Sequence, residues 1–594
     1  MWFDAGPEEP GRLLLLVHHL AVDGVSWRFL LEDLAAAWEQ AAAGRTPSLP
    51  PVPTSVRTWY GALNTAAREP RRTAELPLWT DMLAPAEPVL GSRMPDPARD
   101  VHARRREIEV TLDRATARAL RGEAASVLRA SLKELLLTAF ATTATGWARQ
   151  AGAARGDTAS GWDDGVRVMV EDHGRAGLAP HLDPSATVGW FTSAYPVRLV
   201  PGPADPGDGP ALARAVKAVK ERLRSVPDHG IGYGLLRYLN PDTAPALAQL
   251  PPPQLSFNLY QTDTCEPADW RPASDGPDVG HGAHPDLPVD ALELDVIIDR
   301  TDTGRLVARW AWPEELFTEN EIRQMADIWT RTLHTLSKAA TWPGRGALTP
   351  SDLPLVRLSQ SDIDSLERRH PGGIQDVLPL STLQAGIHFH TVYDAEGTDF
   401  YLNQLALGVE GDLDPAALRA AGQALLERHA VLRSCFDQTP SGQSVQIVAA
   451  HAELPWRTVN LGHLADDAQE AELALLRQQE ATHRFELADA PLLRCTLVGL
   501  GARRHVLLLT YHHIVLDGWS LPLVLKDLFA LYENGADARA LPAVTPFADH
   551  LAWLSAQDRT VWRSPPSSSR RTRAVPGRCR GRRPSSSMTR PAHA

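Results

Sequence analysis

Two tandem histidines, with Asp-Gly beginning four residues after the second, occur twice in this 594-residue chain. Residues 18–34 read HHLAVDGVSWRFLLEDL and residues 512–528 read HHIVLDGWSLPLVLKDL, so His18/His512, His19/His513, Asp23/Asp517, Gly24/Gly518 and Ser26/Ser520 correspond at a constant offset of 494. Imidazole is the side chain best suited to giving and taking protons near neutral pH, which makes HHxxxDG a candidate for acid–base chemistry. A shared metal is disfavoured, because adjacent side chains on a strand point to opposite faces and both imidazoles cannot chelate one ion. One histidine of each pair is therefore functional and the other structural. The aspartate sits where the chain turns back, to orient the imidazole or to pair with an arginine that fixes the turn.

The flanking pattern names the elements that must position these groups. Each copy follows an aliphatic run, Leu13–Val17 or Val506–Leu509, and precedes an amphipathic segment ending near Gly44 or Gly535. A buried strand, a turn at Asp-Gly and a helix are expected at both places, within a mixed α/β (α+β) fold.

HHxxxDG followed by Val-Ser-Trp or Trp-Ser resembles the active-site motif of the condensation and epimerization domains of nonribosomal peptide synthetases. After the first copy come LKELLLTAFA (132–141), VEDHGR (170–175), TVGWFTSAYPVRL (187–199), PDHGIGYGLLRY (227–238) and LSFNLYQTD (255–263). In that order they look like the successive motifs of an epimerization domain. The second copy has PLSTLQAGIHFH (379–390), RHAVLRSCF (428–436), YHHIVLDGWS (511–520) and TPFADHLAWL (545–554), which resemble the first half of a condensation domain, of the subtype that accepts a donor ending in a D-residue.

The resemblance implies a two-lobed fold like that of chloramphenicol acetyltransferase, in two tandem incomplete copies, with each motif at the floor of a tunnel. Substrates would arrive on the phosphopantetheine of partner carrier domains, with no cofactor bound by this chain itself and no metal. It assigns function to the second histidine of each pair, His19 and His513, in agreement with the one-face argument, and to Glu171. Moving a proton off and back onto an α-carbon needs two groups facing each other across it, and Glu171 and His19 are the candidates. A glutamate used as a base needs burial to raise its pKa, and the enolate oxygen needs donors, where Asn258 could help. Outside that motif, Glu171 would read as a surface carboxylate paired with Arg175. In condensation, His513 would orient or deprotonate the attacking amine, and Asp517 would be structural, bridged to Arg433. Two departures stand out: the family's EGHGRE becomes EDHGRA at 171–176, with Asp172 for a Gly, and FNYLG becomes FNLYQ, which moves the tyrosine to Tyr260 and to the other face of its strand.

Composition sets the boundaries of this reading. With 43% hydrophobic and 22% charged residues the chain is ordinary globular sequence, long enough for more than one domain. No apolar run approaches the roughly 18 residues of a membrane helix. The opening MWFDAGPEEPGR has no basic region of a secretory signal, and the four cysteines (Cys265, Cys435, Cys495, Cys579) lack metal spacing, so reduced thiols and a cytoplasmic location are expected. The net charge of −12 hides an asymmetry: residues 563–594 contain nine Arg and no acid. That tail lacks the aromatics of a nucleic-acid arm and reads as disordered, in keeping with an out-of-frame stretch of a GC-rich gene. GIGYG at 230–234 has the wrong spacing and context for a dinucleotide loop, and the chain lacks a phosphate loop, a nucleophile elbow and a Gly-Gly-x-Ser carrier site.

The expected organisation is an epimerization domain at 1–341, an interdomain linker at 342–373, the N-terminal lobe of a condensation domain at 374–562, and the tail. Only 17 residues precede His18, whereas 133 separate Pro379 from His512, and just 76 residues follow Gly518. The first domain is thus expected to lack its N-terminal part and the second its C-terminal lobe. The alternatives are an inactive relic that only contacts synthetase partners, and a stand-alone acyltransferase of the same fold.

Overall fold

The computed structural model describes residues 1–6, 11–84, 87, 89–155, 165–175, 178, 181–261, 284–298, 304–342, 346–393 and 399–557. Cys265, Ala176, residues 273–283 of the loop expected at 273–288, Cys579 and the arginine-rich tail lie outside them. The chain forms one compact unit over Met1–Pro542 and a second from Ala543 onward. Among the described residues no helix is long and apolar enough to cross a membrane.

In chain order the first half contributes β1 (Trp2–Phe3), β2 (Arg12–Leu13), α1 (Gly24–Ala42), β3 (Arg105–Leu112), α2 (Leu132–Arg155), β4 (Val166–Asp172), β5 (Ser193–Leu199), α3 (Gly209–Arg224), β6 (Leu255–Gln261), β7 (Leu292–Ile298), β8 (Leu306–Pro313) and α4 (Glu319–Leu336). Six strands make one sheet in the order β3-β8-β7-β6-β4-β5, with β6 parallel to both β4 and β7 and the other pairs antiparallel. Period-2 alternation decides its two faces. Ile108, Val170, Phe257, Leu294 and Trp310 are buried on one face. There Phe140 of α2 packs its ring 5.7 Å from Trp310 and 6.3 Å from Phe257, and Trp329 of α4 lies 5.9 Å from Trp310. The intervening positions carry Glu109, Glu171, Asn258, Asp295 and Arg309, so the opposite face is polar.

The second half adds α5 (Gln360–Arg369), β9 (Ile374–Pro379), α6 (Thr382–Tyr393), β10 (Leu402–Glu410), α7 (Pro415–Arg428), β11 (Ser434–Gln438), β12 (Ser444–Ala449), β13 (Trp456–Asn460), α8 (Asp466–Thr482), β14 (Leu493–Gly499), β15 (Arg504–His512) and α9 (Ser520–Glu533). One sheet runs β10-β15-β14-β13 and a smaller one β11-β12-β9. The central strand β15 is buried on both sides: Leu507, Leu509 and Tyr511 face α7 and α9 through Leu418, Leu425, Leu528 and Leu531, while Leu508 joins Val498 and Leu476 of α8. Burial pushes the Cys435 and Cys495 thiols up to about 12, which leaves them unreactive core groups. In the second unit, Phe547–Ala556 is helical.

The first motif differs from the expected strand. The run Leu13–Val17 extends β2 no further than Leu13, and Leu16 is 76% exposed, whereas its counterpart Thr510 and the neighbouring Leu507–Leu509 are buried. The reason is pairing. Antiparallel β10 and β14 flank β15 along its whole length, while β2 pairs with the two residues of β1. The helices after both motifs form as expected and stop before Gly44 and Gly535, which adopt φ of +72° and +62° at the C-terminal turn.

The described residues of the stretch expected to join the two halves, 346–373, pack against both of them. Ser359 and Asp362 cap α5 reciprocally, and Ile363 and Leu366 pack on Val377, Val445 and Ile447 of the small sheet. Just upstream, Lys220 of α3 is fully buried and donates to Asp352 Oδ2 at 2.7 Å and to the Ala347 carbonyl at 3.0 Å. Arg224 holds the other oxygen of Asp352 at 2.6 Å and also Glu134 at 2.7 Å. Lys217 reaches Asp364 and Glu367, and Arg129 donates to the Gln375 carbonyl. Polar composition here reflects a network of ion pairs rather than an absence of structure. Removing one partner of a buried pair leaves an uncompensated charge, so Lys220→Met is expected to lower stability by about 3 kcal/mol in urea unfolding. The loss should shrink when Asp352→Asn is added.

Candidate functional site

The two HHxxxDG turns share one local design. His19 Nδ1 lies 2.8 Å from the Val22 carbonyl, and His513 Nδ1 lies 2.8 Å from the Leu516 carbonyl. A carbonyl only accepts, so in the neutral ring Nδ1 carries the proton and Nε2 presents its lone pair outward. The first histidine is used in the opposite sense: His18 Nδ1 accepts from the Leu20 amide and His512 Nδ1 from the Ile514 amide, both at 3.2 Å. His512 is wholly buried beside Asp399, with Nε2 3.5 Å from Oδ2, and burial holds its pKa well below the usual imidazole range.

What surrounds the aspartates separates the copies. Asp23 is 1% exposed and is gripped by Arg175, Nη1 to Oδ2 at 2.7 Å and Nη2 to Oδ1 at 3.0 Å. It also accepts from the Phe191 amide at 3.0 Å and, as N-cap of α1, from the Ser26 amide at 2.8 Å. Burial pushes its carboxyl up, but Arg175 and these donors outweigh that and hold it below its ordinary value. The guanidinium lies 4.2 Å over the Phe191 ring, and Ser26 ties the turn to the backbone of Gly189. Residues 187–191, from TVGWF, thereby lie against the motif turn and bring the Trp190 ring 5.2 Å from that of His19.

Asp517 is exposed and accepts from the Ser520 amide at 2.7 Å. The Gly518 that follows it is also exposed. Arg433 does not bridge to Asp517. It is buried against the carbonyls of Leu426, Glu427 and Ala449 and the side chain of Gln375, so it fastens the end of α7 to the small sheet. Its four hydrogen-bond partners already satisfy the guanidinium, which is why no carboxylate is needed there.

Glu171 lies at the end of β4, on the polar face of the six-stranded sheet. Its partner is not Arg175 but Asn258, whose Nδ2 donates to Oε2 at 2.8 Å. Burial raises the Glu171 pKa to about 7, with the negative field of Asp295, Asp290 and Glu293 adding to it and His19 opposing it. Tyr260, two residues along β6, shares the face of Asn258 and hydrogen-bonds to it, and burial raises its phenol. The departure at Asp172 is compensated: burial pushes its carboxyl up, but Lys133 of α2, 2.9 Å from Oδ2 and 2.8 Å from the Glu171 carbonyl, brings it below the ordinary value.

The structure thus brings His19, Asp23 and Arg175 into one assembly and Glu171, Asn258 and Tyr260 into another, with His19 near enough to act electrostatically on Glu171. His513 and Asp517 stand apart in the second half. Sequence reasoning missed Trp190, Lys133 and the three acids on or beside β7. The signal was present for two of the acids, Glu293 and Asp295, since LELDVII alternates acidic and aliphatic residues. A cavity of about 750 Å³ in the second half, lined by Thr391, His483, Arg484, Phe485, Asp489 and Arg494 among others, does not include His513.

The arrangement gives a carboxyl that exchanges a proton near neutrality. Because the folded chain holds that proton where an unfolded glutamate has lost it, stability is expected to fall as pH rises from about 4.5 to about 7. In Glu171→Gln, the fall measured by urea unfolding should be smaller by on the order of 2–3 kcal/mol.

Comparison with known proteins gives the context. The family profile described as "Condensation domain" matches residues 7–352 and again residues 374–563. The chain is 35% identical over 568 residues to a linear gramicidin synthase polypeptide of Brevibacillus parabrevis, covering 94% of this chain and 7% of that protein. It is 31% identical over 611 residues to chondramide synthase cmdD of Chondromyces crocatus, of which it spans 15%. It therefore corresponds to a small part of each relative. Among solved structures, the epimerization domain from the third module of tyrocidine synthetase B is 26% identical, with a TM-score of 0.46 over 55% of this chain and 68% of that one. On the two profile matches, which together take in most of its length, the chain belongs to the condensation-domain family.

Proposed function

We propose that this chain works in nonribosomal peptide synthesis, its first half inverting the α-carbon of an aminoacyl or peptidyl thioester from L to D. The observation that carries the reading is Glu171, a carboxyl poised near pH 7, hydrogen-bonded by Asn258 and within the electrostatic reach of the His19 turn. As a carboxylate it takes the α-proton, and the electron pair of the broken C–H bond moves onto the thioester oxygen as an enolate. A doubly protonated His19 delivers the proton on Nε2 to the opposite face and closes the step with the configuration inverted, leaving a neutral imidazole and a protonated Glu171; the reverse direction starts from that state, and proton exchange with solvent resets the pair. Asp23 and Arg175 touch no substrate in this scheme. They hold the turn that aims the ring.

The second half fits a contribution to peptide-bond formation. His513 Nε2, free to accept while Nδ1 is held by Leu516, would orient or deprotonate the amine that attacks the donor thioester. Substrates would reach both halves on the phosphopantetheine arms of carrier domains, in line with relatives that are peptide synthetases.

For the first half the test is exchange of the α-proton of a carrier-loaded L-aminoacyl thioester with deuterated solvent. Exchange is expected in the wild type and should drop at least 100-fold in His19→Ala and in Glu171→Gln, the size of effect typical of a lost acid–base group. Wild-type exchange no faster than in these variants would mean an inactive fold. For the second half, two loaded carriers should yield a dipeptidyl thioester that His513→Ala does not form; no product from the wild type refutes a condensing role for this chain.

A further inference from the structure

The polar face of the six-stranded sheet carries more than a base and its hydrogen-bond donor. Strand pairing sets Asn258 opposite Asp295, Asp295 opposite Arg309, and Arg309 opposite Glu109. With Glu171 bonded to Asn258, one row across five strands reads Glu171, Asn258, Asp295, Arg309, Glu109. Two carboxylates therefore flank a single amide, and Asn258 donates to Glu171. The cationic end of the row is engaged, since Arg309 holds Glu109 at 3.0 Å and lies 3.9 Å from Glu107. The adjoining row places Glu293 on the same face, where Arg105 binds it at 3.0 Å. Among the described residues of the two rows, Asp295 and Glu171 are thus the half-buried acids held by no ion pair, and they face each other across the amide of Asn258.

We propose that Asp295 is a positioning residue, whose charge across Asn258 makes the Glu171 carboxyl able both to take a proton and to give it back. The proposal rests on the reading of Glu171 as the base. An inverting catalyst must run each proton transfer in both directions, so a base that ionises too readily would keep no proton to return. Like charges within reach of one another resist joint ionisation, so a carboxylate at Asp295 favours the protonated form of Glu171. Burial lifts Asp295 to about 6 and Glu171 to about 7, and the Asp295 carboxylate adds to the rise at Glu171.

Other charged and titratable groups also face the pair. Around Glu171 stand His19 from the motif turn, Asp172 on its own strand, Lys133 from α2, Tyr260 from β6, and Asp290 and Glu293 on or beside β7. Lys133 is engaged by Asp172 and by the Glu171 carbonyl, and Asp290 is bonded to Ser256. Around Asp295 stand Glu293, Arg105, Glu107 and Arg309; the two arginines lower its value and the two acids raise it.

Selective carboxyl ¹³C labelling of glutamate in the full chain reads the proposal directly, with the Glu171 resonance assigned by its loss in Glu171→Gln. In Asp295→Asn the Glu171 titration midpoint is expected to move down by about one pH unit, and the acid limb of the α-proton exchange profile should move with it. Asp295→Glu, which keeps the charge, should retain the wild-type midpoint. Asp295→Ser serves if the amide variant fails to fold. A Glu171 midpoint that stays put in the uncharged variants overturns the proposal and leaves the base reading intact. Exchange that survives Glu171→Gln overturns the base reading, and the proposal with it, wherever the midpoint lies.

Discussion

The first half of the chain depends on one ion pair. Arg175 reaches across 152 residues to grip Asp23 with two hydrogen bonds in a site where both side chains are almost completely hidden from water. Its energetic logic is that of any buried charge pair: the attraction is large only because solvent is gone, and either partner alone would be intolerable. Because Asp23 also caps α1 and accepts from Phe191, the pair joins three things at a point: the start of a helix, the loop that brings Trp190 to His19, and the end of the strand that carries Glu171. Glu171 and His19 are then set by the sheet and the turn that this pair clamps together.

The second motif shows what the same local sequence does without that clamp. His513 keeps the carbonyl bond and the outward Nε2, yet Asp517 stays on the surface and the neighbouring Trp519 is 90% exposed. The strand before it, by contrast, is far better buried than its first-half counterpart. Each copy is well formed where the other is not. Strand burial comes from the partners β10 and β14, and aspartate burial from an arginine and a loop, so the two properties vary independently.

Legibility in the sequence follows the range of the interaction involved. The Asp-Gly turn and the helix after each motif depend on a handful of neighbouring residues, and could be read directly. Arg175, Glu171 and Asn258 could be picked out by their motifs, but not their pairings: the obvious near partner for Glu171 was Arg175, four residues away, and the actual one is Asn258 on another strand. The Arg433–Asp517 bridge failed for the same reason, since Arg433 finds its acceptors in the carbonyls at the end of α7. The exposure of Leu13–Val17 was hidden because a run of leucines looks alike whether or not strands flank it. The ion pairs of Lys217, Lys220 and Arg224 with residues 352–367 were likewise not legible, because charged residues of a joining stretch do not name their distant partners.

The carbonyl bond that orients His19 and His513 closes within three residues in both copies. The ring is therefore presented alike in the two halves, whereas the anchoring of the aspartate, which draws on residues far away in the chain, has to be supplied by each half separately.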